Sequence, residues 1–241
     1  MTAGENISRK RVAVLVALRE EQRAIQPALR SLAIEVVRTG IGRANAFARA
    51  FEMLGRVQPD ILIVCGFGGG LREGLRAGDV LVAEEVIEAG MSSRSWFATP
   101  ELLATARGVF QRLQLTGGMG HFGRLATVAQ VLGTANDKRR AFEELQCDLV
   151  DMESAGVLEA TAARSVPVLC VRAVLDEYDF ELPFDFGKIL TPEGRPRILK
   201  AVSAVAANPA GLAKILPLRE RALKAARSLR EFVPLLVKEL L

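Results

Sequence analysis

Apolar residues in this chain fall into short unbroken runs, separated by stretches with a helical rhythm. RVAVLVAL (11–18) is apolar from its second residue to its end, the pattern of a strand buried on both faces. REEQRAIQPALRSL follows with helical spacing, and Pro27 predicts a kink or an end to that helix. IEVVRTG reads as a strand, and GIGRANAFARAFEMLGRV as a helix opened by Gly40 and Gly42. PDILIVCGFGGGL is a second buried strand, starting after Pro59 and running into four glycines within five residues. GDVLVAEEVIEAG has strand character, and PELLATARGVFQRLQL is an amphipathic helix with Pro100 near its start. GRLATVAQVL reads as a strand and NDKRRAFEEL as a helix. DLVDMESAG leads into a helix reaching about residue 163, and VPVLCVRAVLDEYD is a third buried strand ending in acids.

Strands that alternate with helices and are apolar throughout predict an α/β fold. We expect a three-layer single domain with a largely parallel or mixed central sheet flanked by helices. The catalytic body is expected over residues 1–187, with a basic helical C-terminal extension over 188–241. Ligands of such folds bind beyond the carboxyl ends of the strands. Reading those ends collects Arg19, Glu20 and Glu21, then Gly40 to Arg43, then a loop Gly66-Phe67-Gly68-Gly69-Gly70, the Asp-Met-Glu-Ser turn and Asp176.

Charge changes the reading of the tail. Net charge is +4, but the residues from Lys188 onward carry +7 and the first 187 carry −3. A general nucleic-acid groove across the body is therefore not expected, and aromatics at 5% leave little for base stacking. In the tail, Leu218, Ala222, Ala225, Leu229, Phe232 and Leu236 fall near helical spacing among many basic residues, with Pro234 expected to kink or interrupt the helix. Such a helix packs on the domain or a twin subunit, or lies on an anionic membrane surface.

Three cysteines, Cys65, Cys147 and Cys170, form no CxxC pair and suit reduced thiols in a cytoplasmic protein. A structural zinc site is not expected, because His121 is the sole histidine. No signal peptide or membrane-spanning run is read.

The candidate chemistry lies in carboxylates and glycines. Asp148, Asp151 and Glu153 crowd one helix start, where acids serve as ordinary caps. Asp176 ends a buried strand, where desolvation raises a carboxyl toward proton donation. Glu21 is a general base or a helix-start residue. The glycine run is a tight turn, or a loop whose amides approach an anion. Arg172, inside a strand, needs an acidic partner if buried.

ALREE, TGIGRANA, PDILIVCGFGGGLREGLRAGDVLVAEEV, DLVDMESAGVLEA and VPVLCVRAVLDEYD follow one another as in the nucleoside phosphorylase and nucleosidase superfamily. The resemblance covers roughly residues 11–180. Methylthioadenosine/S-adenosylhomocysteine nucleosidases are similar throughout. The hopanoid-associated phosphorylase group resembles the chain more closely, at GFGGGL and along ELPFDF…GRPRILK…NPAGLAKILPLRERALKAARSL.

This resemblance implies cleavage of the N-glycosidic bond of a 5′-substituted adenine nucleoside, by phosphorolysis or hydrolysis, with adenosylhopane the leading substrate. It implies that Glu153 holds the ribose hydroxyls with Met152 packed on the sugar, and that Asp176 donates a proton toward N7. Glu21 would orient the nucleophile, and Val131, Leu132 and Phe67 would line the substrate pocket. Gly66, Gly68 and Arg43 would bind the nucleophile or phosphate. Phe67 and Leu175 stand where many members carry serine. No cofactor or metal is implied, with inorganic phosphate a candidate co-substrate. The partners implied are an adenine nucleoside, lipid-linked or free, a second copy of the chain in a homodimer or larger assembly, and a peripheral membrane contact through the tail. A methylthioadenosine/S-adenosylhomocysteine nucleosidase, or a non-catalytic purine-nucleoside binding protein, are the alternatives.

Overall fold

A computed structural model of the chain describes residues 10–90, 94–183, 191 and 215–241. Eight strands form one sheet: β1 (Val12–Val16), β2 (Val36–Arg38), β3 (Ile61–Gly70), β4 (Val80–Glu88), β5 (Arg94–Phe97), β6 (Gly120–Thr127), β7 (Leu149–Asp151) and β8 (Val168–Asp176). The described helices are α1 (Arg19–Arg30), α2 (Arg43–Val57), α3 (Pro100–Arg112), α4 (Ala135–Leu145), α5 (Ser154–Ala162) and α6 (Ile215–Leu240). The chain is thus an α/β single domain with a mixed sheet flanked by helices, as its apolar runs predict. The expected division after residue 187 lies outside the described residues.

The apolar runs that predicted buried strands do bury both faces. Every residue of β1 is buried, as is every residue of β8 except Leu175. One face meets Ile25 and Leu29 of α1, Leu102 and Ala106 of α3, and the apolar side of α6. The other meets Ala46, Ala50 and Leu54 of α2 with Val157 and Leu158 of α5.

The pairing is not that of a simple open sheet. β3 runs parallel to β1 and β8, and β8 runs antiparallel to β4. β4 pairs with β6, β6 with β7, and β7 returns antiparallel to the far end of β3. Strands β3, β8, β4, β6 and β7 therefore close a circuit, leaving β2 and β5 as outer strands. β5, an exposed segment lacking an apolar run, has no counterpart in the sequence reading.

The glycine run is strand rather than the expected loop. Gly66 to Gly70 continue β3 against Arg172 to Asp176 of β8, with a bulge between Gly68 and Gly69. The glycines serve close packing. A Cβ on Gly66 would sit 2.6 Å from Glu21 Oε1 and overlap the Arg172 guanidinium, and one on Gly68 would overlap Leu149.

Neither interior proline ends its helix. α1 continues past Pro27 and α6 past Pro234. Each proline removes one backbone hydrogen bond, but buried neighbours hold the helix: Ile25 and Leu29 in α1, Val233 and Leu236 in α6. The apolar side of α6 is core. Ala225, Leu229, Phe232, Val233, Leu236 and Val237 are fully buried, and Phe232 stacks on Phe110 at 4.3 Å. Of the two expected placements of the tail helix, the structure shows it packed on the domain. Among the described residues, no helix is long and apolar enough to cross a membrane.

Candidate active site

The carboxyl ends of β1, β3, β7 and β8 meet the segment after β6 around a cavity of about 330 Å³. That volume suits a small-molecule ligand. Most of its wall is apolar, from Leu18, Ile41, Phe67, Val128, Met152 and Leu175, with Leu218 and Ala222 added by α6. Among the described residues its charged lining is acidic: Glu20, Glu21, Asp151, Glu153 and Asp176.

The acids of DLVDMES take three separate jobs. Asp148 accepts from the Arg124 amide at 2.8 Å and pairs with Arg72 at 2.5 Å, away from the cavity. Asp151, the last residue of β7, accepts from the Ser154 amide at the start of α5 at 3.1 Å, and it also binds the Arg172 guanidinium. Glu153 faces the cavity beside Asp151. Its Oε1 accepts from the Gly42 amide at 2.8 Å, and its Oε2 lies 3.9 Å from Arg172. Burial pushes its carboxyl up to about 7; Asp151 adds to this, while Arg172 and the Gly42 amide oppose it.

Arg172 has its expected acidic partners. With 1% of its side chain exposed, it also donates to Ser154 Oγ at 3.0 Å. Burial works against its charge, and Asp151 and Glu153 more than offset that, so it stays a cation.

Glu21 joins two strands. Its Oε2 accepts from the Ala17 and Leu18 amides at 2.8 and 2.7 Å, and its Oε1 from the Phe67 amide at 2.8 Å. Three amide bonds leave one strong acceptor position on Oε1. Burial raises this carboxyl above its ordinary range, against Arg172 and those amides.

Asp176 ends β8 almost fully buried. Burial raises it too, and the ammonium of Lys138 pulls it back. That partner was not read from the sequence. Lys138 sits between Asp137 and Arg139 in a helix that looks solvent-facing, and nothing local signals its burial.

Of the residues expected at the site, Glu21, Phe67, Gly68, Val131, Leu132, Met152, Glu153 and Asp176 line this one cavity. Two do not. Gly66 packs on Glu21 and Arg172 behind the wall. Arg43 points away, paired with Glu88 and Glu159 at 2.5 Å each. Carboxylates at the end of β4 and on α5 claim its guanidinium, so it is not available to an anion in the cavity. The Phe67 amide is likewise already given to Glu21.

A three-layer α/β domain with carboxylates converging at its strand ends defines the class, that of nucleoside phosphorylases and nucleosidases. The chain belongs to the Phosphorylase superfamily, whose family model matches residues 23–207. A 5′-methylthioadenosine/S-adenosylhomocysteine nucleosidase of Staphylococcus aureus is 25% identical over 179 residues, 67% of this chain and 76% of that protein. The fold is also that of such a nucleosidase from Colwellia psychrerythraea, solved with adenine, at TM-score 0.73 and 15% identity over 96% of each chain. Futalosine hydrolase of Helicobacter pylori is similar at TM-score 0.65 and 18% identity, covering 93% of this chain and 97% of that one.

Proposed function

We propose that this enzyme hydrolyses the N-glycosidic bond of an adenine nucleoside bearing an apolar 5′ substituent. The observation that carries this reading is the composition of the cavity wall. Glu21, Glu153 and Asp176 face one apolar space, and among the described lining residues no Lys, Arg or His accompanies them. A phosphate dianion would meet carboxylates there without a counter-charge. Water carries no such cost, and Glu21 retains an acceptor position for it.

The reaction follows from these roles. Breaking C1′–N9 leaves its electron pair on the base and positive charge on the sugar. Burial raises the Asp176 carboxyl toward its protonated form, and in that form it gives its proton to N7. Glu153 accepts from the ribose hydroxyls and stabilises the cationic sugar, with Met152 against the ring. Water bonds to C1′ and its proton passes to Glu21. Charge is thereby met by a fixed group wherever it develops.

The 5′ group would lie along Leu182, Leu218 and Ala222. Adenosylhopane, the candidate named by the sequence resemblance, is the lipid-linked form of this chemistry. Since the apolar side of α6 is core, a membrane contact would use its exposed residues Ile215, Leu216 and Leu223 beside Arg219 and Arg227. Light scattering measures the homodimer that belongs to the same reading.

The test is adenine release from adenosine, methylthioadenosine and adenosylhopane, each with and without phosphate. Release independent of phosphate, and faster with the apolar 5′ groups, is expected. Phosphate-dependent release yielding a ribose 1-phosphate would overturn hydrolysis, and no release from any of the three would overturn the whole reading.

A further inference from the structure

Lys138 is the least expected residue near the cavity. It lies in the first turn of α4, where the helix dipole disfavours a cation, and its side chain is 0% exposed. A buried ammonium is costly unless every proton is matched. Here each is. Lys138 Nζ donates to Asp176 Oδ2, to the Glu177 carbonyl at 2.6 Å and to the Phe180 carbonyl at 2.9 Å. A surface lysine would satisfy the helix at no such cost, so the placement points to the group it holds.

We infer that Lys138 is a positioning residue for the reaction, fixing the Asp176 carboxylate through Oδ2 so that Oδ1 is presented to the base, and folding residues 177–180 beside it. This rests on the reading of Asp176 as the acid. The neighbouring Leu175 side chain has no hydrogen-bonding group to do this work. Further on, the Leu182 amide donates to the Gly133 carbonyl at 2.8 Å, tying the same segment to the start of α4 a second time.

Of the charges around Asp176, Lys138 acts most strongly, lowering it, while Glu177 raises it and Arg221 of α6 lowers it to a lesser degree. From the segment after β8, Glu177 faces it, but accepts from Arg221 of α6 at 2.7 Å and from the Ala77 amide at 3.2 Å. β3 offers only Gly69. Asp151 and Glu153 turn to Arg172. When Asp176 passes its proton to N7 it becomes a carboxylate beside an ammonium that keeps all three protons. Lys138 thus favours the ionised product of the transfer while remaining apart from the substrate.

The test compares the parent enzyme with Lys138→Met and Lys138→Gln. Each neutral variant should lower kcat by about 10- to 100-fold with little change in KM. Without the ammonium, Asp176 holds its proton to higher pH, so the alkaline limb of the rate profile should move upward. A 13C spectrum of labelled aspartate, with Asp176 identified by its loss in Asp176→Asn, should show the same upward movement in its titration. An Asp176 titration and kcat equal to the parent's would overturn the inference. In the parent alone, a 15N-lysine spectrum should contain an ammonium whose protons exchange slowly, and its absence would overturn the inference even if neither variant folds. Because the two spectra need no turnover, a parent that releases no adenine sinks the nucleosidase reading and leaves Lys138 to be judged separately.

Discussion

The Phe67 amide donates to Glu21 Oε1 at 2.8 Å, across 46 residues of sequence. This bond fastens the glycine-rich end of β3 to the start of α1 and occupies an amide that an anion would otherwise use. Glu21 is therefore both a structural clasp and the cavity's acceptor. Glu21→Gln turns an NH2 toward one of its amide donors, at a cost of about 1–3 kcal/mol. It should also lower adenine release by about 100- to 10,000-fold. Melting and steady-state assays on one preparation check both effects; full activity in a folded Gln variant would remove Glu21 from the mechanism.

Asp176→Asn should abolish proton donation and leave Lys138 buried without its counter-charge. Loss of activity is expected together with destabilisation of about 3–5 kcal/mol. Denaturant titration reads the second effect. A variant as stable as the parent would mean the pair is not formed in solution.

Glu153 makes stability depend on pH in a defined sense. Its folded pKa is raised to about 7, whereas an unfolded glutamate titrates near ~4.3. Between those values the folded chain keeps a proton the unfolded chain has lost, so this group's contribution falls as pH rises and is constant above. Glu153→Gln removes that loss, by up to ~4 kcal/mol. Its melting temperature should exceed the parent's at about pH 8 and approach it at about pH 4. A difference independent of pH would contradict the assigned shift.

Gly66→Ala tests the packing behind the cavity. The added carbon meets Glu21 and Arg172, both fixed by other bonds, so neither moves away freely. A loss of about 1–3 kcal/mol is expected, with activity reduced through Glu21. Unchanged melting would show that the two side chains yield.

Phe232→Ala tests whether the tail belongs to the body. A buried ring stacked on Phe110 should cost about 3–5 kcal/mol when removed, in a single transition with the rest of the domain. Separate melting of the tail would contradict the packing.

Much of the fold was legible because its signals are local. β1, β3, β4 and β8 are read from apolar runs, α2 and α3 from spacing and the glycines or proline at their starts, and α4 and α6 from their sequence pattern. β5 was not legible, since an exposed outer strand needs no apolar pattern. That neither interior proline ends its helix was not legible for a related reason: a proline weakens a helix locally, while the packing that preserves it involves distant core residues. In the site, Glu21, Glu153 and Asp176 could be read because each follows a strand whose end is visible in the sequence. Arg43 and Lys138 could not be placed, because their partners Glu159 and Asp176 lie 116 and 38 residues away.

By itself the sequence determined the α/β class, the buried strands and the carboxylates at their ends, all set by side-chain periodicity over a few residues. Tertiary structure alone decided that five strands close a circuit, that the glycines continue a strand, that Arg43 leaves the cavity and that Lys138 enters the core beside Asp176. These outcomes depend on which remote groups meet. Excluding water from the interior makes each buried charge find its partner there, and no local pattern encodes that partner's identity.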